Sequence, residues 1–234
     1  KMTEKDLSTQ ESDDWASEIQ RQLDSKQYPK WPKEAMVKVL FGSSNYLQTP
    51  FTPQPNWRVL DVGSLFANNL LPFSEIGCEC FGVDIHPHMV EIAKTVAKRR
   101  GVQAEFLVGS NRSLPYPDKH FDLLLSVDTI HYEGSKSYVM APLKEYRRVL
   151  KPGGGCFIAT VGPDHAICKD ANYLGNHQYR VMNFDFRDDK VFFFFEKEAY
   201  FNHCLSEIFD QVEVGRITEK LMKCTLDSFV AFCR

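Results

Sequence analysis

The sequence predicts an α/β protein built on a doubly wound, mostly parallel sheet of seven strands, with helices on both faces. Two observations carry that reading. From residue 57 onward, near-continuous apolar runs alternate with helical stretches, the pattern of parallel strands buried on both sides. The chain length of 234 residues, 43% of them hydrophobic, suits one core of this class, which runs to roughly 250 residues as a single domain.

Residues 1–14 are polar and charged and predict a disordered or frayed start. Lys1, ahead of Met2, reads as an added residue. From Asp14, the three- to four-residue spacing of Trp15, Ile19 and Leu23 predicts a short amphipathic helix. Pro29 and Pro32 stop it, and a second helix is predicted over 33–47 through Ala35, Met36, Val39, Leu40 and Tyr46. QTPFTPQPN (48–56) reads as an extended connector that closes the N-terminal unit, 15–56.

The main domain, 57–234, opens with strand-like runs at 57–62, 78–85, 104–109, 121–127 and 155–161. Helices are predicted around 68–76, over 87–100 and over 136–150, with a polar loop between the third and fourth strands. HQYRVMNFDF (177–186) and VFFFFE (191–196) predict a hairpin within an inserted lid at about 162–196. A helix over 197–208 and final strands in DQVEVGRI and SFVAFC complete the sheet. The phenylalanines at 192–195 read as buried sheet.

Composition narrows the function. With 28 basic and 31 acidic side chains the net charge is -3, which speaks against a nucleic-acid partner. No apolar run approaches the roughly 18 residues of a membrane span, so no membrane is expected. Seven cysteines without a CxxC pair, and no apolar leader in KMTEKDLSTQ, predict reduced thiols in a cytoplasmic protein. No metal is expected, because no Cys, His or carboxylate set has zinc-like spacing, and His86 and His88 flank a proline at a helix start. Composition leaves the oligomeric state open.

Ligands of doubly wound sheets bind beyond the carboxyl ends of the strands, where the connection order reverses. The candidates there are Asp61, Gly63 and Ser64; Asp84 and Ile85; Gly109, Ser110 and Asn111; Val127 to Tyr132; and Val161 to His165. Asp84 ends the second strand and follows Gly63 by 21 residues, a spacing suited to a carboxylate that accepts two ribose hydroxyls. The same aspartate could instead cap the helix that starts near Pro87.

VLDVGSLFANNL, FGVDIHPHMVEIAK, GSNRSLPYPDKHFDLLLS and KEYRRVLKPGGGCFIAT follow one another with an order and spacing that resembles the class I S-adenosylmethionine-dependent methyltransferases over residues 57–161. The resemblance implies a Rossmann-like methyltransferase fold, S-adenosylmethionine as cofactor and S-adenosylhomocysteine as product. It further implies that Asp61, Gly63 and Ser64 lie along the methionine part of the cofactor, Asp84 takes the ribose hydroxyls and Ile85 packs on the adenine. Ser110 and Asn111 stand where the family often has an aspartate for the adenine amino group. Val127 and Asp128 would face the methionine and the sulfonium.

Two departures from the pattern matter. Where the family usually has three glycines in the first turn, this chain has Gly63, Leu65 and Ala67. Glycine permits positive φ and close approach, but a ligand without phosphate needs clearance rather than a nest of amides. Binding is therefore expected to survive. His131, Tyr132 and His165 lie on the rim where an acceptor would meet the methyl group, and His131 reads equally as a general base or as a residue that orders its loop. Arg21, Arg180 and Arg187 could bind an anionic group or lie in solvent.

The expected activity is direct methyl transfer to a small molecule in a pocket at the strand ends, under a lid formed by the N-terminal helices and the insertion. A catalytically inactive scaffold or S-adenosylmethionine sensor is the alternative. A nicotinamide-dependent oxidoreductase fits less well, because G-x-G-x-x-G is absent.

Overall fold

A computed structural model describes the backbone of residues 4–42 and 51–234, and the side chains of 13–42 and 51–234. The chain begins with helices α1 (Glu4–Asp24) and α2 (Glu34–Phe41), then enters strand β1 (Arg58–Val62). Next come α3 (Leu71–Glu75), β2 (Glu79–Asp84), α4 (Pro87–Arg100), β3 (Ala104–Val108), β4 (Phe121–Val127), α5 (Lys136–Val149) and β5 (Leu150–Val161). The insertion carries β6 (Asn172–Gly175), β7 (Gln178–Arg180) and β8 (Val191–Phe193). Helix α6 (Glu198–Ser206) and strands β9 (Val212–Leu221) and β10 (Cys224–Cys233) finish the chain.

The seven-stranded sheet that the sequence predicts has the order β3-β2-β1-β4-β5-β10-β9. Strands β1 to β5 pair in parallel, while β10 runs antiparallel to both β5 and β9. Moving from β1, the chain first builds toward β3 and then restarts at β4 on the other side, so the order reverses between β1 and β4. That is where a doubly wound sheet opens a ligand crevice.

Each face of the sheet has its own core. Helices α2, α3 and α4 supply Met36, Leu40, Phe73, Ala93 and Ala97 against one face. Helices α5 and α6 supply Leu143, Tyr146, Phe201 and Leu205 against the other. Strand residues alternate between them: Leu124 and Ile158 belong to the α5 side, Leu123 and Phe157 to the α2 side. This two-sided burial explains why the parallel strands read as continuous apolar runs.

Helix α1 starts at Glu4 where a frayed N-terminus was expected through residue 14; residues 1–3 lie outside the described residues. Helix α2 ends at Phe41, and the part of its predicted range after Gly42, with Tyr46 and Leu47, also lies outside them. The insertion contains the expected pairing of β7 with β8, but as part of a three-stranded sheet to which β6 adds a hairpin of its own. NYLG gives β6 too little alternation to announce itself. The phenylalanine run is buried throughout, with Phe193 and Phe195 in the main core and Phe192 and Phe194 in the core of the insertion.

Candidate cofactor and acceptor site

The turn after β1 keeps the backbone shape of a glycine turn with only one of its glycines. Gly63 has φ 74°, and Leu65 and Ala67 follow at 41° and 55°. A side chain at Gly63 would run into the methyl group of Thr129, so only glycine fits there. At Leu65 and Ala67 the positive φ is held by surroundings rather than by residue type.

Asp84 ends β2 fully buried, and both carboxylate oxygens are engaged from the protein side. The Leu65 N–H donates to Oδ2 at 3.0 Å and the Ile85 N–H to Oδ1 at 2.9 Å. Each oxygen keeps a further lone pair for a hydroxyl donor. Asp84 does not cap α4: the N-cap is His86, whose Nδ1 accepts from the His88 N–H. Burial pushes Asp84 up to about 6, against the pull of the two amides.

Asp61 sits deeper. Neither of its carboxylate oxygens has a hydrogen-bond partner among the described residues, and nor does the nearby Ser64 hydroxyl. Burial raises Asp61 to about 8; Asn69 favours the charged form and the neighbouring Asp84 opposes it, and burial prevails. Unpartnered buried acceptors are costly. A cation such as the methionine ammonium of S-adenosylmethionine would relieve both, so these residues fit that group. Ile85 and Val108, exposed by 51% and 47%, present apolar surface at the ends of β2 and β3 where an adenine ring would lie.

The backbone of Ser110 bridges to Ser113, while the Asn111 side chain turns inward and accepts from the Tyr146 hydroxyl at 2.8 Å. Asn111 therefore braces α5.

At the end of β4, Val127 is half-buried and Asp128 takes φ 54°, with its N–H donating to the Ala159 carbonyl at 2.9 Å. Its carboxylate meets Lys33 Nζ at 2.8 Å, and the same ammonium donates to Ser228 Oγ at 3.3 Å. Sequence reasoning missed Lys33, because nothing in its local pattern shows that the connector before α2 crosses the strand ends. The crossing is pinned again where the Lys33 N–H donates to Asn69 Oδ1 at 3.1 Å and Asn68 Nδ2 to the Trp31 carbonyl at 2.9 Å.

His131 is buried beside this cluster, with Nδ1 3.2 Å from Thr160 Oγ1 and its ring 4.2 Å from that of Tyr132. Burial pulls it down to about 3, with Asp128 acting in the opposite direction. The ring is neutral at physiological pH and already engaged. His165, in the turn after β5, accepts the Ile167 N–H on Nδ1 at 3.1 Å, and burial lowers its pKa.

Tyr132 is locked by Arg187, whose Nε donates to its hydroxyl at 3.1 Å. The same guanidinium lies over the rings of Trp15, Phe184 and Phe186, and Trp15 meets Tyr132 edge-on at 4.9 Å. Arg187 therefore ties the insertion to both α1 and the β4 loop. Arg21 pairs with Glu18, and Arg180 with Asp189. Among the described residues no group of His, Cys, Asp and Glu could hold a metal ion, and no helix is long and apolar enough to cross a membrane.

Comparison with known proteins agrees with this geometry. A family profile described as "Methyltransferase domain" matches residues 60–158. An uncharacterized methyltransferase, YcgJ of Bacillus subtilis (strain 168), is 39% identical over 98 residues, which is 42% of this chain and 38% of that protein. Ajmaline N-methyltransferase of Rauvolfia serpentina is 28% identical over 131 residues, 54% of this chain and 44% of that enzyme. The chain thus spans less than half the length of these curated relatives. The crystal structure of the PH0226 protein from Pyrococcus horikoshii OT3 shares the fold, with a TM-score of 0.63, 20% identity and coverage of 89% of this chain and 96% of that one. Residues 60–158 are thus similar to the methyltransferase domain, and the curated relatives that match over this stretch are methyltransferases.

Proposed function

We propose that the protein is an S-adenosylmethionine-dependent methyltransferase that acts on a small-molecule acceptor in the crevice at the carboxyl ends of β1, β4 and β5. The observation that carries this reading is the pair of carboxylates at the ends of β1 and β2. Asp84 is oriented by two amides with lone pairs to spare, and Asp61 is buried without a partner.

S-adenosylmethionine would supply a methyl group on a sulfonium. The chain supplies position and dryness, which dominate an in-line displacement. Asp84 would hold the ribose diol, Asp61 and Ser64 the methionine end, and Ile85 and Val108 the adenine. Val127 and Asp128 border the methionine side. His131, neutral and bonded to Thr160, acts best as a fixed polar wall, with Tyr132 and His165 beside it on the acceptor side.

The roof comes from both additions to the core. Trp15 packs on Tyr132 and on Phe186, Lys190 pairs with Asp14 at 2.7 Å, and Lys33 spans Asp128 and Ser228. A roof of mixed polar and aromatic side chains suits a small acceptor, and one relative is named an ajmaline N-methyltransferase. The net charge of -3 gives a nucleic acid no attraction, and the free thiols suit the cytoplasm.

Calorimetric titration with S-adenosylmethionine and S-adenosylhomocysteine, with NAD as control, tests the reading. Micromolar binding of both sulfur compounds and none of NAD is expected. Absence of binding would instead favour a scaffold role, for which Leu65 in the cofactor turn is the motivating feature.

A further inference from the structure

Leu65 belongs to two structures at once. Its backbone is part of the turn after β1, where its N–H donates to Asp84 Oδ2 at 3.0 Å from a left-handed conformation of φ 41°. Its side chain is partly buried against the cluster that seats α1 on α4, which includes Ala16, Ile19, Leu23, Phe66 and Met89. A leucine at positive φ stays there only while its surroundings compensate. The compensation visible here is the bond to Asp84 on one side and partial burial against the α1 cluster on the other.

We propose that Leu65 is a positioning residue that couples the docking of α1 to the hold of Asp84 on the cofactor's ribose. The inference rests on the function proposed above. When α1 lifts, the leucyl side chain loses its apolar cover, the left-handed turn is no longer compensated, and Asp84 loses the amide that aims Oδ2. When a diol fixes Asp84, the turn is fixed with it and the seat for α1 is complete. Coupling of this kind is reciprocal, so cofactor and helix stabilise each other. Because Trp15 on α1 also walls the acceptor chamber, the chamber is best formed once the cofactor is in place. The glycine usual in this turn could not transmit the effect, having neither strain nor side chain.

Leu65→Gly and Ile19→Ala, alone and combined, test the coupling with S-adenosylhomocysteine as the probe. Glycine accepts the positive φ, so the first variant folds, and Ile19 touches the cofactor turn only through the shared cluster. Ile19→Ala is expected to weaken binding about fivefold in the natural background and to leave it unchanged beside Leu65→Gly. Equal weakening in both backgrounds would overturn the coupling while leaving the proposed function intact. Failure of the unaltered protein to bind the probe would remove both. Amide exchange over residues 15–24 adds a ligand-free measurement: Leu65→Gly is expected to speed it, and an unchanged rate would also overturn the inference.

Discussion

Asp84 and Asp61 are both buried acids at neighbouring strand ends, yet they are held differently. Asp84 is held by two amides; its replacement by alanine is expected to weaken S-adenosylhomocysteine binding by roughly 1.5 to 3 kcal/mol, the scale of hydrogen bonds to a charged group. Unchanged calorimetric affinity would mean that the ribose lies elsewhere. Gly63 is constrained differently, by a positive φ and by the Thr129 methyl group. Gly63→Ala is expected to lower stability by about 1 to 3 kcal/mol in chemical denaturation. His131, pulled to about 3 by burial, is expected to show no titration between pH 5 and 8 by NMR; an inflection near 6.5 would restore it as a candidate base.

At the scale of elements, the legibility of the sequence followed burial. Strands covered on both faces were read directly from their apolar runs, and the motif residues at their ends came with them. The final strands were read too short, as DQVEVGRI and SFVAFC. Thr218 to Leu221 and Cys224 to Asp227 continue β9 and β10 into a polar ribbon without an apolar signature. What holds that ribbon is also non-local. Asp227, fully buried on β10, accepts from Arg216 Nε at 2.8 Å, from Thr218 Oγ1 at 2.6 Å and from the Asp164 N–H at 2.9 Å, while Arg216 also pairs with the Asp164 carboxylate. Burial raises the Asp227 pKa, but Arg216 and the other donors outweigh it and the net shift is downward. Asp227→Ala removes one of the two carboxylates on Arg216 and leaves the Thr218 hydroxyl and the Asp164 N–H without their acceptor, and a loss of about 1 to 3 kcal/mol in chemical denaturation is expected. Lys33 and Arg187 were hidden for the same reason: their roles depend on which distant strand end they cross.

For the whole molecule, the buried acids and His131 set opposite limits on stability. Asp61 and Asp84 are raised to about 8 and about 6, so the folded state holds protons that the unfolded chain releases near pH 4. Their contribution is complete below that point and is lost as pH rises through the two folded values. His131 is lowered to about 3, so its contribution is present above the unfolded value near 6.5 and is lost as pH falls toward 3. Thermal denaturation of Asp61→Asn against the unaltered protein is therefore expected to show a gain for the variant that grows from pH 6 to 8. A gap independent of pH would mean that Asp61 is already ionised in the free protein.

The insertion is joined to the molecule by alternation along one short stretch. Phe193 and Phe195 belong to the core beneath α5 and α6, and Phe192 and Phe194 to the insertion's own core. One run of four residues therefore completes two hydrophobic interiors. The insertion is not a module that could be exchanged for that of a relative at its loop boundaries. A chimera that imports a new insertion with foreign side chains at 193 and 195 would carry the mismatch into the packing of Tyr146, Phe201 and Phe229, so diversification of the insertion is confined to the outward half of that run and the loops beyond it.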